Sequence, residues 1–198
     1  ADIIIICTPL AAFPEILAKI KPVIKSGSIV TDVGSTKAEV MRLFEQLPSG
    51  VWAIGGHPMA GAELKGIRGA DSYLFENAVY VLTPGQDTPE HIVKRLSQLL
   101  TMTGARIQIL DAALHDQLVA TVSHVPHLAA VALVNSTEGN PDTLRLAAGG
   151  FRDTTRIASS NPDLWIDILQ SNRQSIIAGL ETLTKLLTDL TRQLASGE

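Results

Sequence analysis

The sequence predicts an α/β chain: an open, doubly wound parallel sheet over residues 1–110, followed by helices alone over residues 111–198. Three observations carry that expectation. Apolar, β-branched runs at residues 3–7, 28–33 and 51–54 alternate with segments whose apolar residues recur at helical spacing. Each run gives out into a short polar or glycine-bearing exit, and nothing after Leu110 has a strand pattern. Strands covered on both faces read as continuous apolar runs, and in such sheets ligands bind beyond the strands' carboxyl ends. The exits Cys7-Thr8-Pro9, Asp32-Val33-Gly34-Ser35 and Gly55-Gly56-His57-Pro58 are therefore expected to line one crevice.

The first strand, Ile3-Ile4-Ile5-Ile6-Cys7, is closed by Thr8-Pro9. Phe13, Ile16, Leu17 and Ile20 predict a helix over residues 11–20, ended by Pro22. After the second strand, Thr36 with Glu39 three residues on forms a capping-box pattern that starts a helix over residues 36–46. The third strand, residues 51–54, leads into Gly55-Gly56-His57-Pro58-Met59-Ala60-Gly61. There the glycines and proline are expected to hold His57 on a tight turn. A short helix at residues 64–70 and a strand at 78–82 follow. Ile92, Val93, Leu96, Leu99 and Leu100 stripe a helix that Pro89 opens and Gly104 ends. Residues 105–110 form the last strand. Asp111 caps a long apolar helix to residue 135, kinked at Pro126. Residues 149–161 read as a polar, functional loop. The last helix, residues 172–195, carries Ile176, Leu180, Leu183, Leu187, Leu190 and Leu194 at alternating four- and three-residue steps, a seam that predicts a homodimer.

The totals narrow the function. The 198 residues are 45% hydrophobic, enough for a sizeable core. Sixteen basic against twenty acidic residues, with no basic run, exclude a nucleic-acid-binding footprint. The single cysteine, Cys7, excludes a disulfide framework and fits a reducing cytoplasm, with the thiol expected to be a small buried hydrophobe. No apolar run approaches the ~18 residues of a membrane span, so no membrane association is expected. A shortage of cysteines and of carboxylate patterning argues against a metal. His57, with an ordinary pKa near 6.5, can accept a proton at cellular pH.

Four motifs stand in fixed order: Asp32-Val33-Gly34-Ser35-Thr36-Lys37, the glycine-histidine-proline stretch at 55–61, Ser123-His124-Val125-Pro126-His127, and Gly149-Gly150-Phe151-Arg152-Asp153-Thr154-Thr155-Arg156. Together they resemble the prephenate and arogenate dehydrogenases of tyrosine biosynthesis, over essentially the whole chain. The resemblance implies the later strands of a Rossmann-type nucleotide domain followed by an all-helical dimerisation and substrate domain. It implies oxidative decarboxylation of prephenate with hydride transfer to NAD or NADP. His57 matches the catalytic histidine and Ser35 the serine at the same centre. Arg156 matches the arginine that grips the substrate carboxylate, with Asp153 placed to orient it. His127 matches the histidine facing the substrate side chain, with His124 one turn away on the same helical face as a further substrate-binding candidate; Glu63 matches an acidic residue of the active-site water network, and Trp165 an aromatic residue near the pocket entrance. Cys7, Thr8, Pro9, Gly34, Ser35 and Pro58 match the cofactor-contacting strand ends.

One departure is plain. The family's G-x-G-x-x-G turn, which cradles the cofactor pyrophosphate, occurs nowhere in these residues. The chain is thus expected to lack the first half of its nucleotide domain and to bind cofactor poorly alone. Arogenate dehydrogenase stays open as an alternative, with His127 leaning towards prephenate because an imidazole can donate to a keto acid. A non-catalytic dimeric module binding an aromatic ligand, and a dehydrogenase of small hydroxy acids, are the readings from other classes.

Overall fold

The computed structural model describes residues 1–61, 66–139 and 141–197, which fall into two compact units, Ala1–Asp116 and Gln117–Glu198. The first unit is built on a five-stranded sheet of β1 (Ile3–Ile6), β2 (Ile29–Asp32), β3 (Trp52–Pro58), β4 (Val79–Pro84) and β5 (Arg106–Ile109), in that spatial order. Strands β1, β2 and β3 are parallel, as expected. The expectation of parallel strands throughout fails at β4, which runs antiparallel to β3, with β5 parallel to β4. A parallel neighbour needs a crossover, usually a helix. Between β3 and β4 the described residues hold the 3-10 turn Gly66–Gly69, inside the short helix expected over residues 64–70; residues 62–65 lie outside the described set.

Helices α1 (Phe13–Ile20), α2 (Ala38–Phe44) and α3 (Glu90–Thr101) cover the sheet. Successive strand residues point to opposite faces, so Val30 packs with Phe13 and Leu17 of α1 and Val40, Leu43 and Phe44 of α2, while Ile29 packs with Ile92, Val93, Leu96 and Leu100 of α3. Leu99, placed on the α3 stripe by sequence, is 41% exposed. Strand β1 lies at the sheet edge with Ile5 42% exposed, while Ile3 packs on the α3 side and Ile4 and Ile6 on the α1 and α2 side. Cys7 lies beyond the end of β1 and is exposed, not a core residue.

Helix α4 (Ala112–Val119) opens on Asp111, whose carboxylate accepts from Ala113 N at 2.8 Å and Leu114 N at 3.0 Å, as a cap should. It runs into a π-helical turn, Ala120–His124, and then α5 (Val125–Asn135). By length and composition Ala112–Asn135 is apolar enough to cross a membrane, which corrects the reading that no such run exists. It also carries buried His115, Asp116, His124 and His127, hydrogen-bonding groups that suit a protein core. The kink expected at Pro126 is absorbed in the π turn, where Val125 N reaches back to Ala120 O.

The second unit continues with α6 (Pro141–Arg145), α7 (Gly149–Thr155), the 3-10 turn Arg156–Ser159, α8 (Pro162–Ser171) and α9 (Arg173–Ser196). Residues 149–159 are therefore helical rather than loop. Ala148 is extended and starts α7, the two glycines fall in its first turn, and Thr154 and Thr155 bond back to the carbonyls of Gly150 and Phe151. Along α9, Ile176 is buried but Leu187 and Leu190 are each 54% exposed and Leu194 79%.

Candidate active site

His57 does not sit on a turn. It is a residue of β3, paired with Val81 of β4, and the strand continues to Pro58. The flanking glycines serve close approach instead. A Cβ on Gly56 would lie 2.4 Å from the Asp32 carbonyl oxygen, and one on Gly55 2.3 Å from Thr83 Oγ1. This closeness lets the end of β2 grip β3. Asp32 Oδ1 accepts from Gly56 N at 2.8 Å and Oδ2 from Gly34 N at 2.7 Å, while Lys37 Nζ donates to Asp32 and, at 2.8 Å, to Gly56 O. Both charged side chains are fully buried. Burial pushes the Asp32 carboxyl up and the Lys37 ammonium down, each against the pull of its partner's charge. The pair fastens the Gly34-Ser35 turn to the strand that bears His57.

The imidazole of His57 is held from behind by residues that sequence reading missed. His57 Nδ1 lies 2.8 Å from His115 Nε2, and His115 Nδ1 lies 2.8 Å from Asp116 Oδ1. His115 and Asp116 are buried in the first turns of α4. Asp116 also accepts from Lys37 N at 2.7 Å and Ala38 N at 2.9 Å, so the first N–H groups of α2 are met by this carboxylate, and the helix starts at Ala38 with Lys37 as its N-cap, past the expected Thr36. The available signal was an adjacent His-Asp pair inside an otherwise apolar helix. Ser35 is half-buried, and among the described residues no hydrogen bond joins it to His57. Cys7, Thr8 and Pro9 are exposed beyond β1 and Gly34 is half-buried beyond β2. Pro58 is buried in the ladder opposite Tyr80, which removes it from the exposed strand-end residues.

In the second unit, His124 and His127 are both buried and share Trp165 of α8. The indole stacks on His127 with centroids 3.5 Å apart and planes 6° apart, and meets His124 edge-on at 5.9 Å. Leu164 and Ile166 on either side are exposed, so Trp165 belongs to this aromatic cluster. The Asn172 amide nitrogen lies 3.2 Å from His124 Nδ1. Burial holds His127 below its ordinary pKa, against a hydrogen bond with the Ile157 backbone. Its Nδ1 is buried with no hydrogen-bond partner among the described residues. Arg156 and Asp153 are both exposed, and among the described residues no ion pair joins them. Glu63 lies outside the described residues. Among the described residues no group of three or more His, Cys, Asp or Glu side chains could hold a metal ion.

Residues 1–109 match the family described as "Prephenate dehydrogenase, nucleotide-binding domain", and residues 111–198 match "Prephenate dehydrogenase, dimerization domain". A prephenate dehydrogenase of Bacillus subtilis (strain 168) is 42% identical over 89% of this chain and 49% of its own length. The crystal structure of Synechocystis arogenate dehydrogenase is 36% identical with a TM-score of 0.88, covering 100% of this chain and 72% of that one. The A. aeolicus prephenate dehydrogenase, solved with hydroxyphenyl propionate and NAD+, is 30% identical with a TM-score of 0.90, covering 99% and 70%. The chain spans about half the length of the curated relatives it matches. With family matches over residues 1–109 and 111–198 and a relative 42% identical over 89% of its length, the chain belongs to the prephenate dehydrogenase family.

Proposed function

We propose that this chain supplies the chemistry of a nicotinamide-dependent dehydrogenase that oxidatively decarboxylates prephenate to 4-hydroxyphenylpyruvate. The observation that carries the reading is the His57 imidazole, anchored through one nitrogen to buried His115 and Asp116. A histidine so fixed suits a proton acceptor better than a structural strand residue. It takes the proton of the ring hydroxyl as that carbon loses its hydride, and returns it to the phenolate oxygen once the ring carboxylate has left as carbon dioxide. Ser35, at the β2 exit, hydrogen-bonds at the same oxygen. Arg156 meets a substrate carboxylate with paired donors. His124, His127 and Trp165 form a substrate-recognition set in the helical unit.

A nicotinamide, when bound, supplies the hydride acceptor. The residues present fit its ring end: Thr8 and Pro9 are exposed at the end of β1, and Gly34 bears no side chain at the end of β2. These three residues and Ser35 would hold it. The exposed leucines of α9 suit a second copy of the chain, making a homodimer, and a cytoplasmic setting fits the family's biosynthetic chemistry.

Arogenate is the second reading, and one observation favours it. The buried His127 Nδ1 has no hydrogen-bond partner among the described residues, so when it carries no proton it is open to accept from a ligand. An acceptor suits the arogenate ammonium better than a keto group. The test is kcat/KM for prephenate and for arogenate, each with NAD and NADP, on the protein expressed from its complete native reading frame. Prephenate turnover at least ~10-fold better than arogenate supports the first reading, and the reverse ratio the second. Tight tyrosine binding with no turnover of either would replace both with a regulatory module.

A further inference from the structure

The three side chains His57, His115 and Asp116 form an ordered line in which the proton positions follow from chemistry. Asp116 is an acceptor, taking N–H bonds from Lys37 and Ala38 at 2.7 and 2.9 Å. The group 2.8 Å from its Oδ1, His115 Nδ1, must therefore be a donor. A neutral imidazole that donates through one nitrogen accepts through the other, so His115 Nε2 is a lone pair. His57 Nδ1, 2.8 Å from that lone pair, must then carry a proton. The rings meet at 74° with centroids 5.0 Å apart, an edge-on approach suited to an in-plane N–H aimed at a nitrogen and unlike a stack.

We propose that His115 and Asp116 are positioning residues that lock His57 in the tautomer protonated on Nδ1, leaving Nε2 as its basic nitrogen. Neither is assigned a contact with substrate or cofactor. Asp116 is itself fixed by the two backbone N–H groups at the start of α2, so the ring orientation of His57 is tied to the same turn that carries Ser35. When Nε2 takes a proton, Nδ1 goes on donating to His115, whose own proton stays on the Asp116 side. The positive charge then develops along a line that ends in a buried carboxylate. That His57 is the proton acceptor rests on the function proposed above; the nitrogen assignment rests on the hydrogen-bond geometry and the one-donor, one-acceptor chemistry of a neutral imidazole.

The test separates the two. Nitrogen-15 NMR of histidine-labelled protein, expressed from its complete native reading frame, reads each ring nitrogen as protonated or bare without any turnover. The expected spectrum has His57 Nδ1 protonated and Nε2 bare. In Asp116→Asn the side-chain amide can donate to His115 Nδ1, which moves the His115 proton to Nε2 and turns the His57 tautomer over. The kcat should then fall by roughly 10⁴-fold with substrate KM little changed, the scale seen when a triad aspartate becomes asparagine. His115→Gln, whose carbonyl oxygen can still accept from His57 Nδ1, should keep the wild-type His57 tautomer and more of the activity than His115→Leu. Should Asp116→Asn fail to fold, the wild-type spectrum and the two His115 variants still decide. A wild-type His57 protonated on Nε2, or His115→Gln and His115→Leu alike in both spectrum and kcat, would overturn the proposal. The predicted spectrum in an inactive protein would instead keep the proposal and refute the function.

Discussion

Replacing Gly56 by alanine puts a methyl group where the structure has no room. The new Cβ would stand 2.4 Å from the backbone oxygen of Asp32, 3.0 Å from Thr31 Oγ1 and 3.2 Å from Tyr80 Cε1. Real Cβ atoms essentially never come within 3.0 Å, so β2 and β3 must part by at least 0.6 Å at a point where the obstacle is backbone and cannot rotate away. Overpacking of this kind costs about 1–3 kcal/mol. The same movement stretches the 2.8 Å bond from Gly56 N to Asp32, and a hydrogen bond to a charged group contributes about 1.5–3 kcal/mol. A total near 3 kcal/mol corresponds to a fall in Tm of roughly 6–12 °C for a chain of this size. The control lies five residues away: a Cβ on Gly61 meets nothing within 4 Å among the described residues, so Gly61→Ala should stay within about 0.5 kcal/mol of wild type. Thermal and urea unfolding followed by circular dichroism measure both. If Gly56→Ala unfolds within 0.5 kcal/mol of wild type, the close strand approach is not what the glycine is for.

Lys37→Met strands the buried Asp32 carboxylate without its partner and should destabilise by about 3–5 kcal/mol in urea titration; a loss under 1 kcal/mol would mean the pair is dispensable. Burial keeps His127 below its ordinary pKa of 6.5, so as pH falls through that value the unfolded chain binds the proton first and stability drops. The urea midpoint should therefore fall between about pH 7.5 and about pH 5.5, and fall less in His127→Gln; equal slopes would refute this. Leu190→Glu places a charge on the exposed leucine face of α9 and should halve the mass seen by sedimentation, whereas an unchanged mass would move the subunit contact elsewhere.

The strands β1 to β3 and the helices between them were legible because burial on both sheet faces writes itself as β-branched runs and helical stripes. The direction of β4 was not, because it depends on what the connection from Met59 onwards does rather than on β4 itself. His57 was expected on a turn but lies within β3, and its glycines were read for turning when they serve packing. A tight approach to Asp32, 24 residues away, leaves no local trace. The same holds for His115 and Asp116, which reach residues 58 and 79 positions earlier. Residues 149–159 looked like a loop because two glycines and two threonines lower helix propensity, yet the glycines fall in a first turn and the threonines bond to their own helix. Asp153 and Arg156 had the spacing of an ion pair on one helical face, but α7 ends at Thr155, and among the described residues no ion pair joins the two.

The central claim is that His57 is the proton acceptor of a nicotinamide-linked oxidation. Its most direct test mixes prephenate and NAD or NADP with the protein expressed from its complete native reading frame, wild type beside His57→Asn, and follows reduced-nicotinamide absorbance together with carbon dioxide release. The account predicts one carbon dioxide per reduced nicotinamide in the wild type and a loss of kcat of about 10²- to 10⁴-fold in the variant. Turnover in His57→Asn equal to that of the wild type would contradict it.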